Sequence, residues 1–183
     1  MEQWTLLDSK YIIQRPWATL RVDKLELPNG NIKDEYYVLE YPTWVNMVGI
    51  TTENNLLFVK QYRHGAGKIL IELPAGVVEE GEEPAVAARR ELLEETGFAF
   101  ESIEEICQLH ANPATSGNIT YTYLLTGGRK IKEQELDNSE DIEVIQLSIP
   151  EAKELLFSNG ISQALHTSAL FYCLKKLGLL TDN

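Results

Sequence analysis

The sequence predicts an α+β fold or an α/β sandwich, and three observations carry that prediction. Apolar segments of strand length recur along the chain, bounded by Asn, Gly and Pro turn residues. Helical periodicity is confined to a few segments. The two kinds of element do not alternate regularly, which argues against a doubly wound repeat. With 183 residues the chain has the size of one ordinary domain.

The elements follow in order. Leu25–Leu27 and Tyr36–Leu39 flank Pro28-Asn29-Gly30-Asn31, the pattern of a β-hairpin around an Asn-Gly turn. Residues 45–50 and 56–62 are two apolar strands around a turn at Glu53-Asn54-Asn55. Residues 69–73 form another short strand, and a turn follows at Pro74-Ala75-Gly76. A helix begins near Pro84, which suits a first helical turn, and ends at Gly97, a natural C-terminal cap. Residues 102–109, 119–126 and 142–149 read as strands. Residues 150–158 and 161–177 read as helices, the second apolar at Ile161, Leu165, Ala169, Tyr172 and Leu177. No internal repeat interrupts this order.

Composition excludes several function classes. Hydrophobic residues make up 44% and charged residues 24%, a folding composition. The formal charge of −12 argues against general nucleic-acid or anionic-membrane binding, which needs basic patches. Cys107 and Cys173 make neither a disulfide framework nor a metal-site spacing. No apolar run has the length of a membrane span, and the N-terminus lacks a basic-then-apolar leader. A soluble, cytoplasmic globular protein is the expectation.

The chemistry concentrates between Gly76 and Phe98, which reads GVVEEGEEPAVAARRELLEETGF. Glu91, Glu94 and Glu95 stand at i, i+3 and i+4 and share one arc of the predicted helix. Glu91 and Glu95 repel each other unless a cation sits between them. Ala85, Ala88 and Leu92 flank that arc while Val86 and Leu93 point roughly the opposite way, so the helix is expected to pack on more than one side. An all-oxygen carboxylate cluster suits Mg²⁺, Mn²⁺ or Ca²⁺. A glutamate run alone is more often a solvated helix face.

The full spacing decides between these readings. Gly76, Glu82, Arg90, Glu91, Leu92, Glu94, Glu95, Gly97 and Phe98 fill every fixed place of G-x5-E-x7-R-E-U-x-E-E-x-G-U, with U apolar. This is the signature of the Nudix hydrolases, and the chain resembles that family. The resemblance implies an α/β/α sandwich with a mixed sheet, whose signature segment forms a loop–helix–loop. It implies hydrolysis of a nucleoside diphosphate linked to another group, with Mg²⁺ or Mn²⁺ as cofactor. By residue match Glu91 and Glu95 are the main metal ligands, assisted by Glu94 and the backbone carbonyl of Ala75. Arg90 orients a signature glutamate, Glu82 positions the loop, and Gly76 permits a loop conformation that a side chain would obstruct.

Further features resemble the ADP-ribose pyrophosphatases and other nucleoside diphosphate sugar hydrolases. These are Gln61-Tyr62-Arg63 followed by Ile71-Glu72-Leu73-Pro74-Ala75-Gly76, and Pro113, sixteen residues after Gly97. A third is an N-terminal β extension over residues 1–45, ahead of the hydrolase domain at 46–183. In the resembled group such an extension helps to build a homodimer. The resemblance thus implies substrate-binding roles for Arg63, Glu72 and Pro113, and places Trp17 and Tyr36 where that group stacks a nucleotide base. Arg63 could instead pair with a surface glutamate, and an aromatic in a strand is more often core. The loop Pro113–Asn118 has no carboxylate, although many relatives place an acid there, and Thr115 and Ser116 are poor bases near neutral pH. Glu140, near Asp137 and Asp141, matches a late ligand or base of the family, while Asn138 stands where some relatives carry a second glutamate. Two other functions remain open: hydrolysis of nucleoside triphosphates or dinucleoside polyphosphates, and an ADP-ribose-sensing module that does not cleave. The retained glutamates weigh against the second.

Overall fold

A computed structural model describes residues 1–138 and 140–180. The chain divides into two compact units, one of residues 1–42 with 110–119, the other of 43–109 with 120–183.

The first unit is a three-stranded antiparallel sheet of β1 (Thr5–Arg15), β2 (Ala18–Glu26) and β3 (Ile32–Glu40), in that order. The expected hairpin joins β2 to β3. Gly30 takes φ +80°, its N–H bonds the Leu27 carbonyl at 2.9 Å, and the Asn29 side chain accepts from the Asn31 N–H at 3.0 Å. The 110–119 segment runs beside β3. The Thr115 carbonyl accepts from the Leu39 N–H at 2.7 Å, and the Tyr36 hydroxyl donates to the Ala114 carbonyl at 2.5 Å. Every residue of β1 is exposed, and Trp4, Leu6, Tyr11, Ile12, Ile13, Trp17, Ile32 and Tyr37 all keep large apolar surfaces in solvent.

The second unit holds the mixed sheet and the helices. Its strands are β4 (Trp44–Thr51), β5 (Asn55–Arg63), β6 (Lys68–Glu72), β7 (Ala75–Val77), β8 (Phe98–Ala99), β9 (Ser102–Leu109), β10 (Thr120–Lys130) and β11 (Ile142–Ser148). The central path runs β11-β5-β4-β10-β8, with β6 on β5, β7 on β4 and β9 on β10. Among the described strands of this unit only the β4–β10 pair is parallel.

The side-chain period of two sends apolar residues to both faces. Val45, Met47, Leu57, Tyr123 and Leu125 pack on one face with Ala87, Ala88 and Leu92 of α1 (Pro84–Thr96). Val48, Ile50, Leu56, Phe58 and Leu124 pack on the other with Ala152 and Leu156 of α2 (Ile149–Phe157) and with Ala169, Leu170, Cys173 and Leu174 of α3 (Ala164–Lys176). This is the α/β/α sandwich that the resemblance implied, within an α+β chain.

Five readings need correction. The turn at Pro74-Ala75-Gly76 is in part strand, because Ala75–Val77 pairs antiparallel with Trp44–Asn46. Gly76 lies in that strand without a left-handed φ, so it supplies space and not conformational freedom. Val86 is exposed, so α1 buries one face only. The buried stripe of α3 is His166, Ala169, Leu170, Cys173 and Leu174, and Tyr172 and Leu177 face solvent. Helix α3 starts only at Ala164, where the Gln163 side chain caps it by accepting from the His166 N–H at 3.0 Å.

Candidate active site

The signature segment folds around one guanidinium. Pro84 opens α1 and Gly97, in the left-handed region at φ +76°, closes it with its N–H on the Leu93 carbonyl. Arg90, on the second turn, donates from Nε and Nη2 to the two oxygens of Glu82 at 3.0 and 2.8 Å. Its Nη2 also donates to the Val77 carbonyl at 3.0 Å, and Nη1 to Glu91 at 2.9 Å and Glu94 at 3.2 Å. This forked pairing, led by Glu82, holds the Arg90 pKa well above its ordinary value. Glu82 also accepts from the Glu79 N–H at 3.1 Å, so it fixes the loop before the helix.

The carboxylates themselves are crowded. Burial raises the pKa of Glu91, against its bond to Arg90 and with the charges of Glu94 and Glu140. Glu95 is 5% exposed, and burial first pushes its pKa up to about 8, with Glu91 and Glu140 adding to the rise. Its Oε2 accepts from the Ala75 N–H at 3.1 Å. Glu140, expected as base or late ligand, thus lies in the electrostatic field of the signature glutamates. Its own carboxylate caps the local turn by accepting from the Asp137 N–H at 2.9 Å.

Gly76 makes room for Glu91. A Cβ there would lie 1.9 Å from the Glu91 carboxyl carbon. Among the described residues no group of three or more His, Cys, Asp or Glu side chains is arranged to hold a metal ion. As placed, the signature oxygens serve Arg90 and the Ala75 amide. The chemistry of the donor set nonetheless fits a hard divalent cation: carboxylates on one helix face, with the charge of Glu94 helping to raise the pKa of Glu91 and that of Glu91 helping to raise the pKa of Glu95, and with the Arg90 guanidinium among them.

The Gln61–Gly76 run forms a second buried network. Glu72 is 2% exposed, and its Oε2 accepts from Arg63 Nε at 2.8 Å, Arg63 Nη2 at 2.7 Å and Gln61 Nε2 at 3.3 Å. Arg63 therefore pairs with a buried glutamate and not a surface one. Its Nη1 makes no hydrogen bond among the described residues, and its charge acts on Glu95 and on His166. Trp17, Tyr36 and Pro113 belong to the first unit. Trp17 sits exposed at the β1–β2 turn, and Pro113 is exposed in the 110–119 segment. The Tyr36 ring meets Trp4 edge-on at 6.0 Å between centroids, with Lys33 Nζ 5.9 Å above it.

The model of the NUDIX domain matches residues 41–166, more than half of the chain. The chain belongs to the Nudix family. Residues 4–39 match the nucleoside diphosphate sugar hydrolase N-terminal domain. The methanol dehydrogenase activator of Bacillus methanolicus is 34% identical over 84% of this Nudix chain and 83% of its own. The ADP-ribose pyrophosphatase of Bacillus subtilis is 32% identical over the same shares. A crystal structure of an ADP compounds hydrolase superposes with a TM-score of 0.85, covering 98% of each chain at 23% identity, a likeness of fold.

Two site neighbours of this Nudix chain lie outside its signature. Gln134 donates to the Glu95 carbonyl at 2.7 Å and the Ile142 carbonyl at 3.0 Å, tying the end of α1 to the start of β11. The buried His166 accepts from the Leu73 N–H through Nδ1 at 3.2 Å. Burial, then the charge of Arg63, holds its pKa down to about 3, below the ordinary 6.5. Below pH 6.5 the unfolded chain takes up a proton that the folded chain refuses. Stability should therefore be flat above 6.5 with respect to this group. It should fall by up to about 1.4 kcal/mol per pH unit as the pH drops toward the folded value. Denaturant midpoints measured from pH 7 to 4 should show a shallower decline for His166→Asn than for the native chain. Parallel declines would remove His166 as the source.

Proposed function

We propose that this protein hydrolyses the pyrophosphate bond of ADP-ribose or a related nucleoside diphosphate sugar, giving a nucleoside monophosphate and a sugar phosphate. The observation that carries the reading is the Arg90-centred cluster of Glu82, Glu91 and Glu94, with buried Glu95 beside it, in a chain whose residues 4–39 match the nucleoside diphosphate sugar hydrolase N-terminal domain. The names of the Bacillus subtilis relative and of the ADP-sugar pyrophosphatase of Mus musculus, 33% identical over 64% of this chain, point to the same substrate class.

Glu91, Glu94, Glu95 and the Ala75 carbonyl would hold Mg²⁺ or Mn²⁺. Bound there, the cation would neutralise pyrophosphate charge and make water a stronger nucleophile. The chain's own groups do the rest. Arg90 holds Glu91 and Glu94 together while Glu82 holds Arg90. Arg63, anchored on buried Glu72, offers its spare Nη1 to a phosphate oxygen. Glu140 orients or deprotonates the attacking water, and displacement at phosphorus breaks the anhydride. Trp17, Tyr36 and Pro113 are assigned to the nucleoside end. On a chain of charge −12, Arg63 and the cation must overcome a repulsive field locally.

Purified protein with Mg²⁺ should convert ADP-ribose or a nucleoside diphosphate sugar to two monophosphates, and excess chelator should abolish turnover. Undiminished turnover in chelator would sink the metal assignment, and binding without cleavage would make the protein a sensor. Glu140→Gln should lower kcat by roughly 10²–10⁴-fold with little change in KM. Wild-type rates in that variant would return the base to the signature helix.

The exposed aromatic and aliphatic surface of β1 to β3 is assigned to a homodimer. An antiparallel three-stranded sheet that leaves ten or so large apolar side chains in solvent is unusual for a monomer. Sedimentation at micromolar concentration should give twice the chain mass, and a fully active monomer would refute the assignment.

A further inference from the structure

We propose that His166 is a positioning residue for this site: its Nδ1 takes the Leu73 N–H and so holds the Leu73–Ala75 backbone where the Ala75 carbonyl can reach the divalent cation. The proposal rests on the cation reading given above.

Three consecutive residues leave β6 for β7 with each backbone link held by a different element. The Leu73 N–H goes to His166 at 3.2 Å, the Pro74 carbonyl accepts from the Met47 N–H at 2.9 Å, and the Ala75 N–H goes to Glu95 at 3.1 Å. The Met47–Pro74 bond and the Val78 N–H bond to the Thr43 carbonyl mark the groups of this segment that face β4. By the alternation of an antiparallel pair, Ala75 and Val77 turn their N–H and C=O groups to the other edge. That edge faces α1, since the Ala75 N–H meets Glu95 and the Val77 carbonyl meets Arg90. The Ala75 carbonyl lies between those two contacts.

No strand can supply a partner for the Leu73 N–H, because Leu73 lies past the last residue of β6. Leu73 is fully buried, so water is no substitute. His166 fills that place and is itself fixed. It sits in the first turn of α3, its N–H capped by Gln163. The neighbouring Leu165 carbonyl accepts from Asn46 Nδ2 at 3.4 Å, and Asn46 Oδ1 accepts from the Thr122 hydroxyl at 2.7 Å. Asn46 stands opposite Ala75 in the ladder. The first turn of α3 thus grips this region at two points, Asn46 on β4 and Leu73 in the link that leads into β7. The acceptor role requires the tautomer protonated at Nε2, and burial together with the charge of Arg63 keeps the ring neutral.

The test compares the native chain with His166→Leu and His166→Asn. Asparagine retains an acceptor near the Nδ1 position, and leucine does not. Mn²⁺ binding without substrate, followed by electron paramagnetic resonance, should weaken about tenfold or more in His166→Leu. Most of that loss should return in His166→Asn. Amide exchange at Leu73 should be protected in the native chain and in His166→Asn, and fast in His166→Leu. The Mg²⁺ concentration for half-maximal rate should rise in parallel with Mn²⁺ dissociation. Equal Mn²⁺ affinity in all three proteins overturns the proposal while leaving the cation reading intact. A native chain that binds no Mn²⁺ overturns both. If His166→Leu does not fold, Mg²⁺ titration of the native chain decides: the Leu73 amide and His166 Nδ1 resonances must shift, and unmoved resonances overturn the proposal.

Discussion

Glu95→Gln should lower kcat/KM by roughly two to four powers of ten, the scale expected when several kcal/mol of metal-assisted stabilisation is lost at about 1.4 kcal/mol per tenfold. The fold should survive. Glutamine keeps an oxygen to accept from the Ala75 N–H, the one hydrogen bond that the Glu95 carboxylate makes among the described residues. It also removes a carboxylate that burial and the neighbouring Glu91 and Glu140 disfavour as a charge. The metal-free variant should therefore match or exceed the native chain in denaturant midpoint. Loss of cooperative unfolding in Glu95→Gln would assign this residue to the fold. Near-native turnover would remove it from the site.

Gly76→Ala should be nearly as damaging to activity, for a different reason. The new methyl carbon would fall 1.9 Å from the Glu91 carboxyl carbon and 2.3 Å from each of its oxygens. The colliding atoms are the end of a flexible side chain, so the backbone can stay and the carboxylate must leave. Its departure breaks the bond from Arg90 and moves a proposed ligand out of reach. We expect a loss of 10²-fold or more in kcat/KM, on the scale that an ångström-sized misplacement costs, with only a small change in melting temperature. Gly97→Ala is the control with the opposite balance. There the methyl would lie 2.1 Å from the Lys132 carbonyl, which is backbone, at a residue with φ +76°. Stability should fall sharply in that variant. A Gly76→Ala protein with native kinetics would show that Glu91 does not need its observed place.

Much of this was legible from the residues, and the failures have identifiable causes. The Asn29-Gly30 hairpin and both ends of α1 depend on local chemistry, and the structure has them where their turn and cap residues put them. The apolar strands at 45–50 and 56–62 were legible too, while the covering of both faces of their sheet follows from the helices that pack there. Pro74-Ala75-Gly76 reads as a turn because Pro74 and Gly76 are turn residues, yet the state of Ala75–Val77 is decided by pairing with Trp44–Asn46, some thirty residues earlier. The face of α3 was misread because the periodic count began at Ile161, before the helix does. The signature glutamates carry a spacing that a single helix face explains. His166 and Gln134 carry no spacing at all. The Leu73 N–H that His166 accepts lies 93 residues away and the Glu95 carbonyl that Gln134 meets lies 39 away, so no local pattern could have singled them out. The Arg63 partner was open between a surface acid and a phosphate, and burial of Glu72, a tertiary outcome, settled the protein half of that choice.

The parallel union of β4 with β10 has a consequence for how the chain reaches this fold. Thr120 stands against Trp44 and Leu125 against Gly49, so the middle of the sheet joins segments about 76 residues apart. Such pairing pays a large loop-closure cost before it returns any stabilisation, and folding dominated by it is slow. On the ribosome, β4 to β7 and all of α1 emerge before β10 exists. For that interval one edge of the almost wholly buried strand Trp44–Thr51 has no neighbour. The nascent chain should then be most prone to self-association, and a pause in translation just upstream of Thr120 should lower the soluble yield more than one placed after Lys130.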